Sequence, residues 1–158
     1  GLRYFTVYGP WGRPDMAYFR IAAAALGQEK FTLFGDGSIS RDFTYISDVV
    51  DHTIGLFQDL VKRDSGFNDI VNIGGSRPLD MNYLIDLISK KGNHRLEILR
   101  VKESELDSRS TMADNSYLKS ILGELKFTEL ESGVESLMSW ANMEGIKPNL
   151  LKWIKSTV

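Results

Sequence analysis

The sequence predicts an α/β fold built from short strands and a larger number of helices. Segments rich in β-branched and aromatic residues, such as Phe31 to Phe34 and Ile70 to Ile73, alternate with segments whose apolar residues recur at helical spacing. Helical segments are followed by glycine at Gly27, Gly92, Gly123 and Gly145, as helix stops favour. No repeat or low-complexity region interrupts the alternation.

Each element has its own signal. Leu2 to Tyr8 reads as one strand buried on both faces, because it lacks internal breakers. Gly9-Pro10-Trp11-Gly12-Arg13-Pro14 ends it in a loop. Asp15 caps a helix to Leu26 on which Met16, Phe19, Ala22, Ala23 and Leu26 recur, and the run Ala22 to Ala25 implies close packing against a neighbour. Phe31 to Phe34 is a strand entering the turn Gly35-Asp36-Gly37-Ser38, where glycine allows positive φ and Asp and Ser bond their own backbone. Arg41 to Ile46 alternates as a strand should. Ser47 or Asp48 then caps a helix reaching Lys62, with Val49, Val50, Thr53, Ile54, Phe57 and Val61 on one face. Ile70 to Ile73 is a strand stopped by Gly74-Gly75, and Asp80 caps a helix ending at Gly92. Leu96 to Val101 alternates as a strand, with Leu96, Ile98 and Arg100 sharing a face, and a polar stretch runs from Lys102 to Thr111. Asp114 caps a short helix to Leu122. Thr128-Glu129-Leu130-Glu131 is a capping box opening a helix to Met143, and Pro148 starts a last amphipathic segment.

Composition narrows the function. The 158 residues suit one domain, and 19 basic against 21 acidic side chains, interspersed, leave no basic stripe for nucleic acid or a membrane surface. With no cysteine, disulfides, thiolate metal sites and a cysteine nucleophile are excluded. His52 and His94 stand far apart, so no metal site is expected. No apolar run is long enough for a membrane span, and a small soluble partner is expected. The chain opens in strand-like sequence without methionine or a signal-peptide pattern, which leads to the expectation that it is the latter part of something longer.

Arg41, at a strand start beside a glycine turn, is a candidate anion clamp; alternatively it forms a solvated surface pair with Asp42.

Four ordered motifs carry a resemblance. Leu2-Arg3-Tyr4-Phe5-Thr6-Val7-Tyr8-Gly9-Pro10, then Leu33-Phe34-Gly35-Asp36-Gly37 with Arg41-Asp42-Phe43-Thr44-Tyr45 and Asp48, then Val71-Asn72-Ile73-Gly74, then Thr111-Met112-Ala113-Asp114 span nearly the whole chain. Together they resemble the C-terminal portion of extended short-chain dehydrogenase/reductase enzymes, the Rossmann-type, NAD-dependent epimerase/dehydratase family. Within it, Phe5 to Ala17 resembles UDP-glucuronate 4-epimerases, where many relatives carry asparagine in place of Thr6. The resemblance implies that residues 1–158 form a substrate-binding portion, with the dinucleotide-binding portion absent from this chain. It also implies roles: Thr6 and Arg13 on the sugar carboxylate, Arg41 on the diphosphate, and Phe34 with the backbone around Thr32 by the base. Asp15 and Met16 would line the uridine side, Asp107 would lie near ribose, and Phe5 near the nicotinamide of NAD. Core packing is an alternative, compatible role for Phe34 and Phe5, and strand filler and a solvated loop are the alternatives for Thr6 and Arg13. Many relatives have a second phosphate-binding arginine where this chain has Ser104, and Lys102 or Arg109 are the candidates to replace it.

The resemblance further implies a cytoplasmic enzyme that acts as a homodimer when intact and epimerises UDP-glucuronate at C4 through a transient 4-keto sugar, with NAD as cofactor. This chain lacks parts of that machinery. Gly35-Asp36-Gly37 precedes a strand rather than a helix, and Gly74-Gly75 lacks the third glycine of a dinucleotide turn. Tyr4, Tyr8, Tyr18, Tyr45, Tyr83 and Tyr117 all lack a lysine four residues later, so no catalytic residue is assigned. The fragment is therefore not expected to be active alone. Another nucleotide-sugar epimerase or a 4,6-dehydratase stays open because the Arg41 strand is common to all of them, as does a stand-alone nucleotide-sugar binding module.

Overall fold

The computed structural model of the protein describes residues 1–27, 29–64, 66–92, 96–102 and 108–157, with side chains through Trp153. Strands β1 (Leu2–Tyr4) and β2 (Thr6–Tyr8) precede helix α1 (Ala17–Gly27), β3 (Phe31–Phe34), β4 (Ser40–Tyr45) and α2 (Ile46–Leu60). β5 (Val71–Ile73), β6 (Pro78–Asp80), α3 (Met81–Lys91), β7 (Ile98–Val101), α4 (Ser116–Leu122), α5 (Leu130–Ala141) and α6 (Lys147–Thr157) follow. The α/β alternation read from the sequence is present.

The strands form three small ladders. β1 pairs in parallel with β5, Arg3 opposite Asn72, and β3 pairs in parallel with β7, Thr32 opposite Leu99. β4 lies between β2 and β6, parallel to β2 with Val7 opposite Thr44, and antiparallel to β6 with Arg41 opposite Leu79. Parallel neighbours need a crossover. The connection from β2 to β4 contains α1, and that from β1 to β5 contains α2.

Several expectations are corrected. The single opening strand is two, because the Phe5 amide donates to Ile73 O at 3.1 Å, closing the ladder with β5 before the chain turns to pair with β4. β1 is exposed along its length rather than buried on both faces. α1 starts at Ala17, since the Asp15 carboxylate is engaged by Arg13. Ile46 belongs to α2, whose N-cap Tyr45 has no side-chain bond. Asp48 is instead buried and accepts from the Thr128 amide and hydroxyl, both at 2.8 Å. The α2 stripe is split: Val49 is buried with His52 and Leu56, whereas Val50, Ile54, Phe57 and Val61 are exposed. β7 begins at Ile98, and β6, three residues opening on proline, carries too little pattern for the sequence to signal it. Asp80 does cap α3, accepting from the Tyr83 amide at 2.7 Å.

Two apolar clusters hold the elements. The larger gathers α1, α3, α5 and Leu150 of α6, with Tyr8, Phe31, Leu33 and Phe43 from the strands. Its centre is the buried run Ala22 to Ala25, whose short side chains let α3 approach so closely that a Cβ at Gly92 would stand 2.9 Å from that of Ala25. The smaller joins Val49 and Leu56 of α2 to Val71, Ile73 and Leu118. Among the described residues no helix is long and apolar enough to cross a membrane, and no cluster of ligating side chains could hold a metal ion.

Candidate functional site

A cavity of about 240 Å³ opens beside α1 and β3, reaching the first residues of β4. Strand alternation explains how β4 serves it. Arg41 and Phe43 point to the cavity, whereas Asp42 and Thr44 point away and are buried. The Arg41 guanidinium is held in place through Nη1, which donates to Ser40 O at 2.9 Å and Ser108 O at 2.7 Å. Arg41 is therefore anchored by carbonyls rather than by the neighbouring aspartate.

Asp42 has a different task. Its carboxylate, fully removed from solvent, accepts from the amides of Ala113 at 2.7 Å, Ser76 at 3.0 Å and Arg77 at 3.4 Å. Its own amide donates to the Thr111 hydroxyl at 3.3 Å. A buried carboxylate is costly unless hydrogen-bonded, and here two loops provide the donors. The surface pair between Arg41 and Asp42 considered from the sequence is thus not formed.

The turn between β3 and β4 completes the cavity wall with Gly37 and Ile39. Asp36 accepts from the Ser38 amide at 2.8 Å, and the hydrogen bonds from Ser38 hold its carboxyl below the usual carboxylate range. Gly37 has φ of 85° and packs against the Asn82 side chain, so a side chain there would be both strained and obstructed.

Of the residues singled out in the sequence, Thr6, Met16, Thr32, Phe34 and Arg41 line this cavity. Arg13 and Asp15 do not; they pair with each other on the exposed loop, Nε to Oδ1 at 3.1 Å, with side chains 77% and 58% exposed. That hydrogen bond keeps the Asp15 carboxyl below its ordinary range. Phe5 is half-buried beside Gly74, outside the cavity lining. Asp107 and Ser104 lie outside the described residues. Of the two proposed replacement cations, Arg109 is exposed and accepts the Ser40 amide through its carbonyl at 3.0 Å, and Lys102 is exposed as well. Arg20 and Met81 also line the cavity and were not picked out by sequence. The signal for Arg20 was a single charge in an otherwise uncharged helix.

Tyr8 is the most enclosed tyrosine. Burial first, and then the nearby Asp48 carboxylate, push its hydroxyl pKa up. The glycine pairs do not form a dinucleotide cradle. A Cβ on Gly74 would stand 2.7 Å from Asp42 Oδ2, and one on Gly75 would stand 2.8 Å from Phe43 O. The room these glycines provide is filled by the protein's own carboxylate and backbone, where a pyrophosphate would meet negative charge. The described residues therefore do not fit NAD at this turn.

The comparisons with known proteins converge. Residues 1–74 match the NAD dependent epimerase/dehydratase family. The chain is 39% identical to an uncharacterized protein of Methanocaldococcus jannaschii, over 89% of this chain and 41% of the relative. It is 34% identical to a UDP-glucuronate 4-epimerase of Thermodesulfobacterium geofontis, over 92% of this chain and 44% of the relative. Among solved structures, the UDP-glucuronic acid 4-epimerase of Bacillus cereus in complex with UDP-glucuronic acid and NAD superposes with a TM-score of 0.79 at 30% identity, covering 99% of this chain and 45% of that one. The chain thus spans less than half the length of these relatives.

Proposed function

Because residues 1–74 match the NAD dependent epimerase/dehydratase family and the named relatives are 4-epimerases, we propose that the chain belongs to that family, that it is the substrate-binding portion of a nucleotide-sugar epimerase and that its cavity takes a UDP-sugar. The observation that carries this reading is the convergence of Thr6, Met16, Thr32, Phe34 and Arg41, contributed by β2, β3, β4 and the segment leading into α1, on one cavity. Phe34 and the Thr32 backbone accompany the base, Met16 the uridine side, and Arg41 the diphosphate through charge-assisted hydrogen bonds. Carbonyl anchoring at Nη1 orients the guanidinium before the ligand arrives, which lowers the cost of binding.

UDP-glucuronate is the substrate this reading favours, as the named relatives of Thermodesulfobacterium geofontis and Bacillus cereus suggest. The Thr6 hydroxyl meets the sugar carboxylate, and Arg13 exchanges Asp15 for it. An exposed ion pair contributes little, so the exchange costs little. In the whole protein NAD would supply the hydride chemistry for inversion at C4 through a transient 4-keto sugar. On this reading these 158 residues bind and orient the substrate, and neither the hydride carrier nor the acid–base pair is assigned to them. The intact enzyme is a cytoplasmic homodimer.

Calorimetric titration of the chain with UDP-glucuronate, UDP-glucose and UDP tests the proposal. UDP binding that is lost in Arg41→Ala, with Arg13→Ala weakening only the glucuronate complex, is the expected result. A folded chain that binds none of the three overturns it.

A further inference from the structure

The cavity holds a second guanidinium. Arg20 projects from α1, one turn beyond Met16 and Ala17 on the same helix face, and its Cζ lies 5.8 Å from the centroid of the Phe31 ring. It is the only charged residue of α1, whose next five residues, Ile21 to Ala25, are buried. Its stem thus follows a fixed helix surface, and its head rests on an aromatic ring at the start of β3. Arg41 approaches from the other side of the turn that follows β3. Thr32, Leu33 and Phe34 line the same cavity.

Among the described residues, the lining contains no aspartate or glutamate. Two cations on a mostly apolar wall without a lining carboxylate favour a ligand rich in oxygen acceptors. A guanidinium donates only, so it recognises acceptor edges and disfavours amino groups. Packing against Phe31 supplies cation–π attraction and limits the orientations to be lost on binding.

Resting on the nucleotide-sugar reading above, we propose that Arg20 is a second ligand-binding guanidinium of this cavity, contacting an oxygen acceptor of the nucleoside diphosphate that Arg41 does not hold. Two groups of such a ligand have the required chemistry: a phosphate oxygen and a base carbonyl.

The test is calorimetric titration of the 158-residue chain with UDP, uridine and pyrophosphate, comparing wild type with Arg20→Ala, Arg20→Lys and Arg41→Ala. Arg20→Ala is expected to weaken UDP by about 10-fold or more, as loss of a charge-assisted hydrogen bond implies. Arg20→Lys keeps the charge without the fork and recovers part of that loss. Weakening shared with pyrophosphate assigns a phosphate oxygen, and weakening shared with uridine assigns a base carbonyl. Thermal melts without ligand separate binding from folding: the melting temperature of Arg20→Ala stays at the wild-type value while its UDP-induced rise shrinks. If that variant is unfolded by circular dichroism, Arg20→Gln, which keeps the stem, replaces it. UDP binding unchanged in the folded Arg20 variant but lost in Arg41→Ala overturns the assignment of Arg20 and leaves the nucleotide reading standing. Absence of UDP binding in the wild-type chain overturns both.

Discussion

Tyr8 and Gly133 show how tightly single residues are constrained. The Tyr8 hydroxyl is buried without a hydrogen-bond partner among the described residues, and Gly133 of α5 is where its ring and oxygen find room. A methyl group at position 133 would collide with that oxygen and stand 2.9 Å from Tyr8 Cε2. Gly133→Ala should therefore lose about 1–3 kcal/mol of stability through overpacking, measured by urea denaturation. Tyr8→Phe alone should be neutral or stabilising, because it removes a hydroxyl that is buried unpaired. The double variant should recover only part of the loss, since the ring carbons still obstruct; full recovery would show that the oxygen is the whole obstacle. Residue roles were unevenly legible in the sequence. Arg41 was marked by its glycine turn, and Asp42 beside it looked like a surface partner because its amide donors are dozens of residues away.

At the scale of elements, local signals were overruled where tertiary contacts offered more. Thr128 to Glu131 has the spelling of a capping box, yet Glu129 occupies the N-cap without a side-chain bond. The Thr128 hydroxyl goes to Asp48 on α2, Glu129 pairs with Arg77, and Glu131 accepts from Tyr83 on α3. A box satisfies only its own helix, whereas these bonds tie α5 to three other parts of the chain. Asp48→Ala leaves the Thr128 amide and hydroxyl without their acceptor and should cost about 1–3 kcal/mol. Chemical denaturation of that variant and of Thr128→Val checks this, and an unchanged midpoint in both would argue against a stabilising tie. Helix and strand positions followed from periodicity, but the break at Phe5 did not, because a change of pairing partner leaves no mark on composition.

The molecule as a whole leaves one side apolar. Tyr4 of β1 and Val50, Ile54 and Phe57 of α2 are 48%, 45%, 49% and 63% exposed, and several of them line a shallow apolar hollow with Val7 and Ile46. The sequence placed the α2 stripe on one face, and periodicity reports which residues share a face and not whether anything covers it. A contiguous patch of this kind binds hydrophobic dyes and promotes association. The paired substitution Ile54→Ser and Phe57→Ser should reduce both dye fluorescence and the sedimentation coefficient at high protein concentration, without lowering the melting temperature. Dye binding that persists would place the exposed surface elsewhere.

The carboxylate of Asp42 has a kinetic consequence. Its donors Ser76, Arg77 and Ala113 lie 34, 35 and 71 positions along the chain. Helices α1 and α2 can form from neighbouring residues, but this clasp closes only after two long loops have been brought home against their conformational entropy. Ser108, which holds Arg41, lies on the chain leading to the more distant donor, so the orientation of that guanidinium is among the last features to form as the protein folds. A chain that has already gained most of its helix thus still lacks the Ser108 carbonyl that holds Arg41, and the wall of the cavity is completed at the end of folding rather than at its onset.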